Sequence, residues 1–394
     1  MTVRSILHIK RSQPMPIIID AHQDIAYNAL TFGRDYLRSA VETREAEKDG
    51  PTPQRTGHTL LGWPEYQRGQ VAVIFSTLFL APQRYQGGPW ETQVFADASQ
   101  ARKLYEKQLN YYRRLCDEHP DQFRLVRGQG DLRQVLEPWE AQPAYLPLPT
   151  AAPAEEADAR PTVTHPVGLV LLMEGAEGLR APEELEEWWE MGVRMVGPVW
   201  AGTRFCGGSY EPGEFTSEGL ALLEVMGGLG MTLDISHMTE VSALQALDRY
   251  EGPLIASHAN ARAIIKGVEG ERQLTDTTIR RLIERGGVMG VLPFNRFLRP
   301  DWRNDDDRRL VTLHTLAAHI DHICQLAGDA LHAGIGTDFD GGFGWPAVPL
   351  EINTIADLQK LAGVLTEYGY SQESIGDIMG NNWRRHLERT LPSS

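Results

Sequence analysis

Eight short apolar runs, separated along the chain by helical patterns, constrain the fold of this sequence more than any other feature. Most are nearly continuous stretches of Val, Ile, Leu, Met and small residues, as expected of parallel strands covered on both faces. We predict strands at Pro16–Asp20, Gln70–Leu78, Val167–Met173, Val193–Val199, Met231–Ser236, Pro253–Ser257, Gly287–Pro293 and Ala333–Thr337.

Amphipathic segments between these runs predict helices. Examples are Ser217–Leu229, Val241–Tyr250 and Asp276–Arg285, the last of which stops at the glycine pair beginning with Gly286. Strand alternating with helix eight times favours a closed (β/α)₈ TIM barrel. An open doubly wound sheet is the alternative, but no GxGxxG pattern follows the first strand.

Two segments interrupt the alternation. Residues Tyr27–Tyr66 are polar and rich in Arg, Glu and Asp, which predicts a surface excursion above the barrel. Residues Glu140–Pro166 are rich in Pro and Ala, and we expect an exposed loop. Because strands on both sides of this loop are needed to close one barrel, we expect residues 1–394 to form a single domain with surface insertions.

Composition excludes several functional classes. The chain has 38 Lys and Arg against 53 Asp and Glu, a net charge of −15, which argues against a nucleic-acid binder. Cys116, Cys206 and Cys324 are scattered and form no disulfide framework or CxxC metal motif. No window approaches the roughly 20 apolar residues of a membrane span. We expect a cytoplasmic protein with no membrane anchor and no nucleic-acid partner.

Side chains that bind metals follow several of the predicted strands. In a barrel the carboxyl ends of all strands meet at one mouth, where active sites of this fold lie. Apart from Glu174, whose buried carboxylate would need a partner or a metal, each residue taken alone has an ordinary structural interpretation, but five such residues at matching strand ends are a strong signal. The residues are His22 and Asp24 after the first strand, Glu174 after the third, His237 after the fifth and His258 after the sixth.

These donors suit catalytic zinc, because imidazoles and carboxylates without cysteine leave a coordination position for water. Five ligands exceed the needs of one tetrahedral ion, whereas a glutamate can bridge two ions about 3.5–4 Å apart. We therefore expect two Zn²⁺ per chain, with manganese, iron or cobalt as possible substitutes. The first ion is assigned to His22, Asp24 and Glu174, and the second to Glu174, His237 and His258.

Asp338 follows the eighth strand, within the glycine-rich segment Gly334–Gly342. A water between two cations ionises near neutral pH, and amide hydrolysis then needs a group that carries a proton to the leaving nitrogen. Asp338 is our candidate for this role, with Asp340 as the second choice. The alternative interpretation of Asp338 is a strand-end aspartate that caps the following turn.

Together these residues resemble the membrane (renal) dipeptidase family, a branch of the amidohydrolase superfamily whose members are binuclear zinc (β/α)₈ barrels. The resemblance runs from about residue 16 to residue 386. An HxD in place of the usual amidohydrolase HxH, followed by two Ser-His pairs, makes it specific. The motifs are IIDAHQD at 18–24, MEG at 173–175, GMTLDISHMT at 230–239, IASHANARA at 255–263, RQLTD at 272–276, GIGTDFDGG at 334–342 and IMGNN at 378–382.

The resemblance implies roles by position. It places the metal ligands on the same five residues and the catalytic aspartate on Asp338. It places the arginine that binds the substrate carboxylate on Arg272, which the residues alone would predict to be a surface arginine before a helix. The animal enzymes carry a substrate-contacting histidine after the fourth strand. Counting from Arg194, that position is Trp200, which can stack on a substrate but donates only one hydrogen bond, so the resemblance does not predict the dipeptide specificity.

The sequence therefore predicts a zinc-dependent dipeptidase, or a hydrolase of related small amides. Its partner would be a small dipeptide substrate, and a homodimer is left open. The same metal site could instead serve a lactonase or another ester hydrolase, in which case Arg272 would have no carboxylate to bind. A third alternative is an inactive barrel used as a binding protein, against which the intact ligand set argues.

Overall fold

The computed structural model describes residues 15–146, 162–265, 270–303 and 306–393. All eight predicted strands are present, with ends shifted by a few residues, and nearly every strand residue is buried. They are β1 (Ile18–Gln23), β2 (Val71–Phe79), β3 (Val167–Glu174), β4 (Val193–Gly197), β5 (Thr232–Asp234), β6 (Leu254–Ile255), β7 (Met289–Val291) and β8 (Ala333–Ile335).

The strands pair in parallel in the order β7-β8-β1-β2-β3-β4-β5-β6. A bridge between Ala256 and Met289 joins the two ends of this order. There Ala256 N donates to Val288 O at 3.0 Å and Gly290 N donates to Ala256 O at 2.8 Å. The sheet is thus the predicted (β/α)₈ barrel, and its register places the carboxyl ends of β2, β3 and β4 in one row, Phe79, Glu174 and Gly197.

Helical segments fill the connections between strands, and no helix in the described part of the chain is long and apolar enough to cross a bilayer. Two of the predicted helices keep their starts at Ser217 and Asp276, and Thr216 and Thr275 cap them through their side chains. The α-helices are Ile25–Phe32, Ala40–Glu47, Thr52–Thr56, Trp63–Gly69, Ala98–Glu118, Gln129–Ala141, Leu185–Glu190, Ser217–Leu229, Glu240–Arg249, Asp276–Glu284, Asn295–Leu298, Leu313–Ala327, Lys360–Glu367, Gln372–Gly376 and Asn382–Thr390.

Shorter elements complete the connections. The strand Phe123–Leu125 pairs with the start of β3, and Ala81–Pro82 pairs with Val94–Phe95. A π-helical turn at Asp377–Asn381 leads into the last helix. The 3₁₀ segments are Gln83–Tyr85, Pro182–Glu184, Arg262–Ile264, Arg308–Leu310 and Ile355–Gln359.

The polar segment 27–66 differs from the predicted surface excursion. It contains two complete helices, and several of its side chains, including Arg34, Tyr36 and Leu60, are buried against the barrel. Its charge is not a sign of exposure, because Arg34 forms a buried ion pair with Asp340 at 3.1 Å. Residues 147–161 of the predicted 140–166 loop lie outside the described residues, and its ends meet where Tyr145 pairs with Val163.

The last helix fixes the strand that leads to Asp338. Trp383 Nε1 donates to Ile335 O at 2.9 Å, and Asn382 Nδ2 donates to Ala333 O at 2.7 Å. Both acceptors belong to β8, so the C-terminal segment holds this strand from outside the barrel. Gly380 permits the close approach, since a Cβ there would lie 2.4 Å from Ile17 O.

Candidate metal centre and active site

The predicted metal ligands converge on the carboxylate of Glu174 at the barrel mouth. Oε2 of Glu174 lies 3.2 Å from Nε2 of His22, and Oε1 lies 3.2 Å from Nε2 of His237. The Nε2 atom of His258 lies 3.7 Å from Oε1 and 2.9 Å from Nε2 of His237. Residues from four strand ends, distant in the sequence, therefore meet in one buried cluster.

Asp24 and Asp338 complete this cluster on the side of His22. One carboxylate oxygen of each lies 3.9 Å from His22 Nε2, and the hydroxyl of Thr77 donates a short hydrogen bond to Asp24. We call the six residues His22, Asp24, Glu174, His237, His258 and Asp338 the metal-ligand cluster. Two triplets within it present ligand atoms that all lie within 4.8 Å of one another, namely His22, Glu174 and His258, and His22, Asp24 and Asp338.

The geometry of the cluster fits divalent cations better than it fits hydrogen bonding. His22 Nε2 is buried and makes no hydrogen bond of acceptable geometry, although it lies 3.2 Å from Glu174. The Nε2 atoms of His237 and His258 face each other at 2.9 Å, and two lone pairs at this distance repel unless a cation or proton lies between them. Imidazole and carboxylate donors without thiolate match the ligands that zinc takes in catalytic sites.

Burial and crowding shift the pKa values of the carboxyl groups. Burial, reinforced by the charge of Glu174, raises the pKa of Asp24 to about 7. Burial also raises the pKa of Asp338 well above its usual range, against the attraction of His22. Burial would raise the pKa of Glu174 as well, but His22 and His237 outweigh it, so that the pKa is lowered. Carboxylates this close repel one another, and a shared dication would relieve the repulsion.

The imidazoles divide into two kinds. Burial alone would lower the pKa of His22, but the neighbouring carboxylates, Glu174 first, raise it to about 10. Burial, with the nearby charge of Arg272, lowers the pKa of His237 to about 4. Burial and the neighbouring His22 lower the pKa of His258 well below the usual value. His22 is therefore held in its charged form among carboxylates, whereas His237 and His258 are neutral imidazoles that can act as ligands.

Two residues of the cluster have unusual backbone conformations. His237 has a φ of 65° and Asp338 a φ of 53°, a left-handed region that side-chain-bearing residues seldom adopt. Such conformations concentrate at functional sites, where surrounding contacts hold them. Asp338 N donates to His22 O at 3.1 Å, and a Cβ on Gly341 would lie 1.9 Å from Asp338 Oδ1. The turn after β8 thus depends on a glycine to admit the Asp338 carboxylate.

Asp340, our second choice for the proton-transfer residue, lies in a different environment. Its carboxylate is fully buried and accepts hydrogen bonds from Thr59 Oγ1 at 2.5 Å, Leu60 N at 2.9 Å and Tyr36 OH at 3.1 Å. Arg34 Nη1 lies 3.1 Å away as an ion-pair partner. Oδ2 has three donors and Oδ1 one, and the residue is buried away from the cleft, so Asp340 serves the structure of the turn and not proton transfer.

Arg272 is not the surface residue that its local sequence suggests. Its guanidinium is buried, and burial lowers its pKa. Nη2 donates to His258 O at 2.8 Å, and the side chain lies 5.4 Å from the ring centroid of Phe297. Among the described residues, Nε and Nη1 are buried without a hydrogen-bond partner. A buried cation with unused donors beside a metal-ligand cluster is equipped to bind an anion.

Comparison with known proteins identifies the family. The model of the membrane dipeptidase family, peptidase family M19, matches residues 148–391, which include Glu174, His237, His258 and Asp338. The chain belongs to the membrane dipeptidase family. As a member of it, the chain is a metal-dependent hydrolase. An uncharacterised protein encoded beside pqqA in Klebsiella pneumoniae is 34% identical over 234 residues, covering 56% of this chain and 82% of that protein.

Solved structures share the whole architecture. Dipeptidase AC, a metallopeptidase of family M19, superposes with a TM-score of 0.73 at 22% identity over 97% of this chain and all of that one. A metallopeptidase from Rhodobacter sphaeroides, which holds a phosphinate mimic of the dipeptide L-Ala-D-Ala, superposes with a TM-score of 0.72 at 23% identity. That comparison covers 96% of this chain and all of the other. At these identities the superpositions establish the barrel fold.

Aromatic side chains form one wall of the cleft above the site. A cleft of about 640 Å³ opens over the metal-ligand cluster. The Trp200 ring centroid lies 6.3 Å from that of His237, 5.2 Å from Tyr210, 5.3 Å from Phe79 and 6.2 Å from Tyr85. These four rings, Phe79, Tyr85, Trp200 and Tyr210, form what we call the aromatic wall. Only Trp200 among them was predicted from the sequence to line the site.

Two ties hold the aromatic wall in place. Arg84 Nη2 donates to Gly202 O at 2.9 Å and pairs with Glu211, which joins the loop after β2 to the loop after β4. Ser209 Oγ lies 3.1 Å from His237 Nδ1, which joins the same loop to a predicted metal ligand. The wall therefore has a fixed position relative to the cluster.

Sequence reasoning also missed the residues behind the imidazoles. Ser209 contacts Nδ1 of His237, and Ser257 contacts Nδ1 of His258. Asp234 lies behind Ser257 and accepts a hydrogen bond from its hydroxyl. A signal existed for two of them, since Asp234 ends β5 and Ser257 belongs to the second Ser-His pair. Nothing in the sequence distinguishes Ser209 from the other polar residues of its loop.

Proposed function

We propose that this chain is a zinc dipeptidase with two metal ions side by side at the barrel mouth. The division of the Glu174 carboxylate is the observation that carries the proposal, because Oε2 faces His22 and Oε1 faces His237, each at 3.2 Å. A bridging carboxylate offers one oxygen to each ion in two-metal hydrolases. His22 and Asp24 would hold the first ion, and His237 and His258 the second.

The chemistry of the reaction follows from this arrangement. When bound, the two cations would lower the pKa of a water molecule between them and polarise the scissile carbonyl. Asp338 lies at the edge of the cluster that faces the open cleft, where its carboxylate would meet both that water and the substrate. It would accept the proton of the attacking water and deliver it to the leaving amine nitrogen.

We propose that Arg272 binds the free carboxylate of the substrate. Its buried Nε and Nη1 atoms have no partner in the described part of the chain, and its Nη2 is tied to the backbone of the ligand His258. This tie places a fixed positive charge next to the metal site. A carboxylate brought there would gain charge-assisted hydrogen bonds and would set the distance from the substrate's end to its peptide bond.

We propose that Trp200 shapes a side-chain pocket of the substrate together with Tyr85 and Tyr210. The three rings contact one another beside His237 and face the cleft. The relative from R. sphaeroides binds a dipeptide mimic on the same fold, and we infer that a dipeptide occupies the corresponding cleft here. An aromatic wall favours apolar side chains through burial of ring and side-chain surface.

The experiment compares paired substrates after the metal content has been measured. Wild-type protein loaded with zinc should hold about two ions per chain and cleave members of a panel of L-L, L-D and D-containing dipeptides. Arg272→Met should lower kcat/KM for dipeptides, with a loss of about 2–4 kcal/mol in transition-state stabilisation, because a buried charge pair is broken. The same change should do little to the matching dipeptide amide. Trp200→His should alter which dipeptides are preferred and leave the metal content unchanged.

Each alternative gives a different result in this experiment. An equal loss on acid and amide substrates would remove the carboxylate-binding role of Arg272 and favour an ester hydrolase on the same metals. A wild-type protein that binds no metal would favour an inactive barrel. Glu174→Ala should lose much of both ions because the bridge serves each of them. Retention of two ions in that variant, by elemental analysis, would contradict the bridging assignment.

A further inference from the structure

The rear edges of two metal-binding imidazoles meet at one hydroxyl group. Ser257 Oγ lies 2.8 Å from Nδ1 of His258 and 3.4 Å from Nδ1 of His22. The Nε2 atoms of the same rings point the other way, toward Glu174. In the proposed centre His22 and His258 belong to different ions. A single side chain therefore stands behind one ligand of each.

Asp234 decides the direction of the hydrogen bonds at this hydroxyl. Its Oδ1 accepts from the backbone N–H groups of Ser236 at 3.0 Å and Ser257 at 2.9 Å, and its Oδ2 lies 2.5 Å from Ser257 Oγ. A carboxylate that accepts at both oxygens takes the only proton of the serine. The Ser257 oxygen is then left as an acceptor, for Nδ1–H of His258 at 2.8 Å and for Nδ1–H of His22 and the Ser236 hydroxyl at 3.4 Å each.

This direction is the one that metal binding requires. An imidazole that donates from Nδ1 keeps its lone pair on Nε2, and Nε2 is the atom that faces the other ligands. The reversed direction would place the proton on Nε2 and block coordination. The chain from Asp234 through Ser257 thus selects the metal-binding tautomer of two histidines together.

The backbone around Ser257 is held tightly enough for such a role. Ser257 is fully buried, and Gly290 in β7 and Gly336 just after β8 lie close to its carbonyl oxygen. A Cβ on Gly290 would lie 2.0 Å from Ser257 O, and a Cβ on Gly336 would lie 1.8 Å from it. Any side chain at these positions would displace the serine, so its hydroxyl has little freedom to turn away from the imidazoles.

A purely structural interpretation explains only part of this arrangement. The bond from Ser257 N to Oδ1 of Asp234 ties the end of β5 to the end of β6, which stabilises the barrel. This bond does not require a hydroxyl at position 257, since Ser257 contributes its backbone N–H to it. The hydroxyl contacts, at the other oxygen of Asp234 and at two imidazoles, need a second explanation.

We propose that Ser257, anchored by Asp234, is a positioning residue shared by both metal ions, and that it couples their binding. The inference rests on the proposed two-metal centre. Ser209 provides the contrast, because its hydroxyl lies 3.1 Å from Nδ1 of His237 and contacts no second ligand. Loss of the Ser257 hydroxyl should weaken both ions, whereas loss of the Ser209 hydroxyl should weaken one.

The test measures two zinc dissociation constants by competition with a chelator. Ser257→Ala should weaken both ions by about 10–100-fold, the usual effect of removing a hydrogen-bond partner behind a ligand. Ser209→Ala should weaken one ion to that extent and leave the other within about threefold. Ser76→Ala is the matched control, because this buried β2 serine has no hydrogen-bond partner among the described residues. It should change neither constant.

Asp234→Asn provides a second variant of the same size. Its amide would donate to Ser257, so the serine proton would turn toward the imidazoles and favour the wrong tautomer. Both ions should again weaken, and the absorption spectrum of the cobalt-loaded variant should lose intensity at both sites. Weakening of only one ion in Ser257→Ala and Asp234→Asn, or of neither, would overturn the shared role. A wild-type protein with fewer than two ions would instead overturn the two-metal centre itself.

Discussion

Two buried carboxylate clusters lie side by side at the barrel mouth, and the turn after β8 contributes to both. In the metal-ligand cluster, Asp338 faces other ligand atoms, and the nearest imidazole nitrogen, His22 Nε2, lacks a hydrogen-bond partner. In the second cluster, the Asp340 carboxylate is matched by Arg34, Tyr36 and Thr59. The Asp340 side chain is fully buried, whereas 14% of the Asp338 side chain is exposed to the cleft, so hydrogen-bond donors and access to the cleft together distinguish the two carboxylates.

The backbone separates these two neighbours. Residues two apart in a regular strand would point the same way, but Asp338 and Asp340 both have positive φ, at 53° and 64°. The turn sends the first side chain into the cleft and the second toward the 27–66 segment. The comparison therefore predicts a loss of catalysis from one substitution and a loss of stability from the other.

The largest effect should come from Asp338→Asn. The amide cannot carry a proton between water and leaving group, so kcat should fall by about 10²–10⁴-fold while KM changes little. Metal content, measured by elemental analysis, should stay at the wild-type value. A loss of metal would make Asp338 a ligand, as its place in the triplet with His22 and Asp24 would permit.

Asp340→Asn should instead destabilise the fold. Breaking a buried ion pair costs about 3–5 kcal/mol, and the lower end applies here because Glu47 also lies 2.9 Å from Arg34. Urea denaturation of the metal-free protein measures this free energy of unfolding. The folded fraction should keep its metals and stay within about tenfold of wild-type kcat. A drop as large as that of Asp338→Asn would mean that the two clusters are not functionally separate.

Tyr36→Phe should give a smaller effect of the same kind. It removes one of several donors to Asp340 and leaves the others in place, so the free energy of unfolding should fall by about 0.5–1.5 kcal/mol. Activity should be unchanged. A loss above about 3 kcal/mol would show that the Asp340 cluster depends on every one of its donors.

The pH dependence of metal binding should separate the metal-ligand cluster from the Asp340 cluster, because only the first must release protons to bind metal. In the metal-free protein the pKa of His22 is raised to about 10 and that of Asp24 to about 7, so both hold protons at pH 6. Metal must displace these protons. Affinity should therefore rise with pH, steeply below about 7 and then by about tenfold per unit as His22 alone releases its proton.

Calorimetry in buffers of different ionisation enthalpy counts the released protons. More should be released at pH 6 than at pH 8.5, because Asp24 has lost its proton by the higher pH. Equal counts, or an affinity that falls as pH rises, would contradict the assignment of His22 and Asp24 as ligands.

The sequence predicted all eight strands because burial on both faces leaves continuous apolar runs. The ends of the strands were predicted less accurately. The run Met231–Ser236 yields only Thr232–Asp234 as strand, since the chain turns toward the mouth to present His237. The ligand set was accessible for a related reason, because parallel strands closed into a barrel all end at the same rim. Knowing the topology was enough to bring His22, Glu174 and His258 together.

The 27–66 segment shows where composition misleads. Its charges predicted a surface excursion, yet Arg34 is buried against Asp340, which lies near the other end of the chain. The local sequence of Arg272 likewise suggested exposure, and only the resemblance placed it in the site. A charge is buried only when a distant segment supplies its partner, and a single sequence does not show that pairing.

The sequence by itself determined the barrel, the kinds of donor at its mouth and the identity of the residues that carry them. These depend on local patterns and on the one place where parallel strand ends meet. Tertiary structure alone decided which oxygen of Glu174 faces which imidazole, and that Asp340 is held by donors away from the cleft whereas Asp338 faces it. It also decided that Ser257 stands behind two ligands. These properties depend on where each donor meets its acceptor, and the atoms that meet come from segments far apart in the chain.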